Sequence, residues 1–249
     1  MRLFRKIRRK LVDSGKTKSY LLYALGEILL IVIGILIAWK INSLNDIRKN
    51  RIVELKIYET LIEEMDANSK LLDYSIVRYS QNIETIQIII KSIGLQKQEL
   101  TEAIKDAIIN VNYKPTQLHN GAINSVNSTN KFEFIESVLL KDLIASYPSE
   151  LDYFEDQEAK INNIITNRLK PAIENHVSLI DILSERDSEF KRVKNLLKQS
   201  SYKQLLNSRA YQNALVDRLL QTENQIAIAI SLRKKTKTIA SKFKVELGS

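Results

Sequence analysis

Glu27 is the residue whose type and setting point most directly to chemistry. It is a carboxylate inside "YLLYALGEILLIVIGILIAWKIN", residues 20–42, where every other residue from Tyr20 to Trp39 is apolar, aromatic or glycine. An ionised carboxylate in hydrocarbon costs on the order of 3 kcal/mol even on insertion scales. With the span centred near Leu30 or Ile31, Glu27 lies about 5 Å to the cytoplasmic side of the middle, too deep for an interfacial residue. Three arrangements offset the cost: a protonated carboxyl hydrogen-bonded across a helix interface, a pairing with a cation on another chain, or a proton-binding group in an ion path. Its neighbours favour an interface. Ala24, Glu27, Ile31, Gly34, Ala38 and Ile41 follow a 3-4 spacing, so small residues flank the carboxyl on one helix face where backbones can approach closely.

No other group of residues carries a reaction. The chain has no cysteine and only two histidines, His119 and His176, which are expected on the surface, so no metal centre and no cofactor is expected. Phosphate loops, nucleophile elbows, HExxH and EF-hand patterns are absent. The carboxylate clusters Glu63, Glu64, Asp66 and Glu155, Asp156, Glu158 read as solvated helix faces, and the chain as no enzyme.

The segment that positions Glu27 is an uncleaved signal anchor, residues 20–41. Twenty helical residues cover the roughly 30 Å hydrocarbon core, and no small-residue cleavage site follows. The net charge of +9 is local: residues 1–19 hold eight bases and one acid, leaving 30 bases and 28 acids for the other 230 residues. A tail this basic sets the N-terminus in the cytoplasm and residues 42–249 outside it, in the periplasm of a Gram-negative cell. Leu3, Phe4, Ile7 and Leu11 at helical spacing, between Arg2, Arg5, Lys6, Arg8, Arg9 and Lys10, predict a short amphipathic helix on the anionic inner leaflet. Nucleic acid is no expected partner, because the tail is tethered and carries no reading module.

Beyond the span, residues 55, 58, 62, 65, 69, 72, 76, 79, 83, 86, 90 and 93 form a heptad seam in which eleven of twelve positions are apolar, Ser69 being the exception. The pattern predicts one helix from the membrane to Ile93, capped by Gly94. The Glu27 face lies a multiple of seven residues from Leu55 and Ile62, in phase with this seam. A helix over residues 98–110 follows, then a turn-rich patch from Pro115 in which residues 124–130 are too polar for a core. Two helices, 137–146 and 150–170, are expected to be separated at Pro148, with Pro171 kinking the chain or starting the next helix. Residues 184–201 read as a charged connection with a short helix. A last helix from Tyr202 to about Glu246 presents Leu205, Leu206, Leu215, Leu219, Ile226 and Ile230. The expected fold is all-α: a single N-terminal transmembrane helix continuing into a long helix, and an elongated extracytoplasmic bundle whose last helix is antiparallel to the first.

Residues 14–46, "SGKTKSYLLYALGEILLIVIGILIAWKINSLND", resemble the opening of a family of short single-span membrane proteins of unknown function from Bacteroidota. The likeness rests on Gly15 to Thr17, Tyr20 and Leu21, Tyr23 and Ala24, Gly26 to Ile28, Ile33 to Ala38, and Ile41 with Asn42. Lys40 and Leu44 stand where that family usually has Gln and Trp. Weaker similarity continues through Pro115, residues 147–158 and residues 209–213. The resemblance implies localisation and architecture but no activity. The expected role is a scaffolding or interaction protein, a homo-oligomer or the partner of another membrane protein through the Glu27 face. The alternatives are a proton-coupled or force-transmitting subunit of a membrane machine and a periplasmic ligand sensor.

Overall fold

Segments free of glycine and proline stay helical once nucleated, since each added residue gains a backbone hydrogen bond. The computed structural model, which describes residues 17–96, 99–181, 190–193 and 199–248, is all-α, with no strand among those residues. Helix α1 spans Thr17–Lys91. It stops two residues short of Ile93, in a turn closed by Gly94 at φ +93°, a left-handed conformation that glycine adopts without strain. In order follow α2 Glu102–Ile109, α3 Gly121–Asn127, a 3-10 turn Asn130–Phe134, α4 Val138–Ile164, a π turn Ile165–Leu169, α5 Lys170–Glu174, α6 Tyr202–Asn207 and α7 Arg209–Leu247. The expected connection over residues 184–201 lies mostly outside the described residues.

Two compact units divide the chain, one ending at Leu55 and the other covering Lys56–Ser249. In the first, the apolar window of α1 is entirely unburied, and this helix is long and apolar enough to cross a membrane. The second is a helical bundle of α1 from Lys56 onward, α4 and α7. Asp66 pairs with Lys244 at 2.9 Å and Asp73 with Arg233 at 2.6 Å, so α7 runs antiparallel to α1, as expected. At one end the Tyr58 and Phe243 rings stack with centroids 5.2 Å apart.

One row of the heptad seam forms the core as read: Tyr58, Met65, Leu72, Tyr79 and Ile86 are fully buried. The other row is displaced by one residue. Leu61, Asn68, Ser75 and Ile89 are buried, whereas Ile62, Ile76, Ile83 and Ile90 are only half-buried. On α7 the buried faces carry Tyr211, Arg218, Gln225, Leu232 and Ile239 with Ala214, Thr222, Ala229, Thr236 and Phe243, while Ile230 is exposed. Two of these polar core residues have partners distant in sequence: Thr236 bonds the Tyr147 hydroxyl at 2.8 Å, and Gln225 Nε2 donates to Phe154 O at 3.5 Å.

Pro148 does not separate two helices but sits inside α4. Proline has no N–H to give the carbonyl four residues back, here that of Ile144, and Asn127 Nδ2 donates to that oxygen at 3.1 Å instead. The polar patch 124–130 therefore belongs to the packed structure: α3 buries Ile123 and Val126, and Asn127 mends α4. Pro171 creates the same deficit at the Asn167 carbonyl, and there the helix opens into the π turn before continuing as α5. The last helical stretch breaks at Ser208, whose Oγ accepts from Tyr211 N at 3.5 Å and starts α7.

Candidate functional site

Within the first unit, Ala24 and Glu27 are half-buried, and Gly34 and Ala38 are exposed. Positions 24, 27, 34 and 38 share one helix face by their spacing. A methyl group added at Gly34 would meet nothing within 4 Å, so this chain leaves close approach at that point open. The basic residues Arg2, Arg5, Lys6, Arg8, Arg9 and Lys10, with the amphipathic helix expected there, lie outside the described residues.

In the second unit the polar core gathers on the extended segment 110–120. Asn68 grips it as another strand would: Asn68 Nδ2 donates to His119 O and Asn68 Oδ1 accepts from His119 N, both at 2.7 Å. Glu64 accepts from Ala122 N at 2.6 Å and Ile123 N at 3.0 Å, satisfying two of the N–H groups that the first turn of α3 leaves unpaired. Glu158, from α4, accepts the Thr116 N–H on both oxygens, at 2.9 and 3.0 Å. Glu64 and Glu158 are thus buried, where solvated faces were expected, while Glu63, Glu155 and Asp156 are exposed.

Donor counting orders the protons around Glu158. Tyr79 O–H donates to Glu158 Oε1. Its one proton being engaged there, the Tyr79 oxygen accepts from the Thr116 hydroxyl at 2.9 Å. Thr116 Oγ1 then accepts from Ser75 at 2.7 Å and from Arg78 Nη2 at 2.8 Å. The chain of hydroxyls runs toward the carboxylate, with the Arg78 guanidinium 3.9 Å from it. Burial, then the Glu158 charge, pushes the Tyr79 phenol above its ordinary range, and the proton stays on the tyrosine. Tyr113 is raised likewise, mainly by burial. These carboxylates are occupied by the protein's own backbone and hydroxyls, which makes the centre a structural clamp.

One buried charge is not so matched. Arg218 is 6% exposed, and its Nε–H is sealed from solvent with no hydrogen-bond acceptor among the described residues. Desolvation lowers it to about 10, leaving it cationic at neutral pH. A buried charge deprived of its partner costs on the order of 3 to 5 kcal/mol. Tyr211, two turns earlier on the same face, is fully buried with an unpartnered hydroxyl. Neither residue was legible as a site, because a lone Arg within a helix reads as a solvated charge.

His119 is exposed and His176 half-buried, and no group of residues suited to a metal occurs among the described residues. No family model, curated protein or solved structure matches the chain.

Proposed function

We propose that this is a membrane-anchored, non-enzymatic interaction protein. Residues 20–41 hold it in the cytoplasmic membrane, the basic N-terminal segment rests on the anionic inner leaflet, and the helical bundle stands in the periplasm as a scaffold for other proteins. The observation that carries this reading is the membrane-length apolar run of α1, none of which the chain itself buries. The resemblance of residues 14–46 to the single-span Bacteroidota family supports the same placement. The engagement of Glu64 and Glu158 by backbone N–H groups supports a structural role for the buried acids in place of a catalytic one.

In this reading the Glu27 face, with Ala24, Gly34 and Ala38, is where the span meets a second copy of the chain or another membrane protein. A chain without cysteine suits a direct test by oxidative crosslinking in membranes. Ala38→Cys is expected to give a disulfide-linked dimer and Leu36→Cys, about half a turn away around the helix, is not. Glu27→Leu should weaken the Ala38→Cys crosslink, and Glu27→Gln, which keeps hydrogen bonding but cannot titrate, should retain it. Equal crosslinking from both positions contradicts a specific self-interface. Loss of the crosslink in Glu27→Gln points to a titrating or ion-paired carboxylate.

A further inference from the structure

Buried guanidinium groups in folded proteins are paired or hydrogen-bonded, and an exception calls for a missing partner. Arg218 is such an exception. It lies one turn beyond Ala214 and Leu215, which belong to an apolar cluster with Ile161, Ile164, Ile165 and Leu169. Among the described residues, Tyr211 is the one charged or titratable group that acts on it, and Asp217, its neighbour in sequence, is bonded by Arg168. Tyr211 adds a second donor with no acceptor, on the same α7 face. The Nε of Arg218 is sealed from solvent, while 6% of the residue stays exposed.

We propose that Arg218 and Tyr211 form a buried binding site for a small oxyanion, either the carboxylate of a small organic acid or inorganic phosphate. Both sources share the chemistry that recognises them: negatively charged oxygens that accept from the planar guanidinium fork and from the phenol hydroxyl. Because the cation lies inside the bundle, occupancy is coupled to the folded state, and the site makes the bundle's stability respond to the anion.

The test uses the full chain in detergent, with thermal unfolding followed by circular dichroism. Sodium acetate or sodium phosphate replaces sodium chloride at constant ionic strength. The expected result is a saturable rise of the midpoint, about 3 °C at ten times the dissociation constant, with acetate if the ligand is an organic carboxylate and with phosphate if it is phosphate. Arg218→Met, of similar length and uncharged, should abolish the rise, and Tyr211→Phe should weaken the apparent affinity several-fold. If Arg218→Met does not fold, Arg218→Lys keeps the charge without the fork and should bind at least tenfold more weakly. As a direct readout, the resonance of whichever anion gives the rise, the carboxyl carbon of carbon-13-labelled acetate or the phosphorus of phosphate, should broaden with the wild-type chain and not with the variant. No rise with either anion, which means that water alone solvates Arg218, overturns the proposal. So does an equal rise in Arg218→Met, which means that the anion acts elsewhere.

Discussion

Asn127 supplies the hydrogen bond that Pro148 takes away: its Nδ2 lies 3.1 Å from the carbonyl of Ile144, one turn before the proline. A polar residue at the end of α3 thereby keeps α4 continuous. Asn127→Ala should cost about 1 to 2 kcal/mol, since the carbonyl is left without a donor. In a Pro148→Ala background, where the helix makes its own bond, the cost should fall by at least half. Urea unfolding of the four proteins of this cycle measures the coupling, and full additivity contradicts the assignment.

The two buried carboxylates should behave unlike their sequence neighbours. Glu158→Gln places an amide N–H₂ among donors that need an acceptor, and Glu64→Gln does the same at the start of α3. Each is expected to destabilise the bundle by about 2 kcal/mol, whereas Glu63→Gln and Glu155→Gln stay within about 0.5 kcal/mol of wild type. Denaturant midpoints at neutral pH decide this, and equal effects at all four positions contradict the clamp.

Asp73 joins α1 to α7 through Arg233 at 2.6 Å and Lys237 at 3.4 Å. The Arg233 hydrogen bond is the largest influence holding the Asp73 carboxyl below its ordinary value of 3.8. A depressed carboxylate stabilises fully above the unfolded value, and that contribution is lost as pH falls below 3.8 through the lower native value. The carboxylate side chain is 46% exposed, so solvent screening limits the effect to less than about 1 kcal/mol. Asp73→Asn should flatten the stability profile in that acid window and leave the rest of it unchanged. A variant whose acid limb coincides with that of wild type rules out this linkage.

The helical class, the antiparallel last helix, Gly94 as the end of α1 and the row Tyr58, Met65, Leu72, Tyr79 and Ile86 were all legible, because apolar periodicity and glycine conformation are local signals. The second row was misread for a physical reason. Ile62, Ile76 and Ile83 outrank Asn68 and Ser75 as apolar side chains, yet Asn68 and Ser75 are buried because His119 and Thr116, some forty to fifty residues later, complete their hydrogen bonds. Pro148 read as a break for the same reason: the donor that repairs it comes from another element. Glu64 and Glu158 looked like members of solvated acid clusters until the backbone of segment 116–123 was seen to bind them.

Arg218 also makes a prediction that needs no ligand. In a buffer free of oxyanions, Arg218→Met removes an unpaired buried charge and fills its volume with apolar atoms, so it should stabilise the bundle, by about 1 to 4 kcal/mol. Chemical unfolding in chloride buffer measures it. A loss of stability there means that the guanidinium has a protein acceptor after all.

Placement across the membrane is the central claim, and labelling of single cysteines in spheroplasts tests it most directly. Tyr74 is 66% exposed on the bundle, and Lys18 is exposed before the apolar run. With a membrane-impermeant maleimide, Tyr74→Cys is expected to react in intact spheroplasts, and Lys18→Cys only after detergent opens the membrane. Reaction of Lys18→Cys with protection of Tyr74→Cys, or protection of both until detergent is added, contradicts a single span with a cytoplasmic N-terminus and a periplasmic bundle.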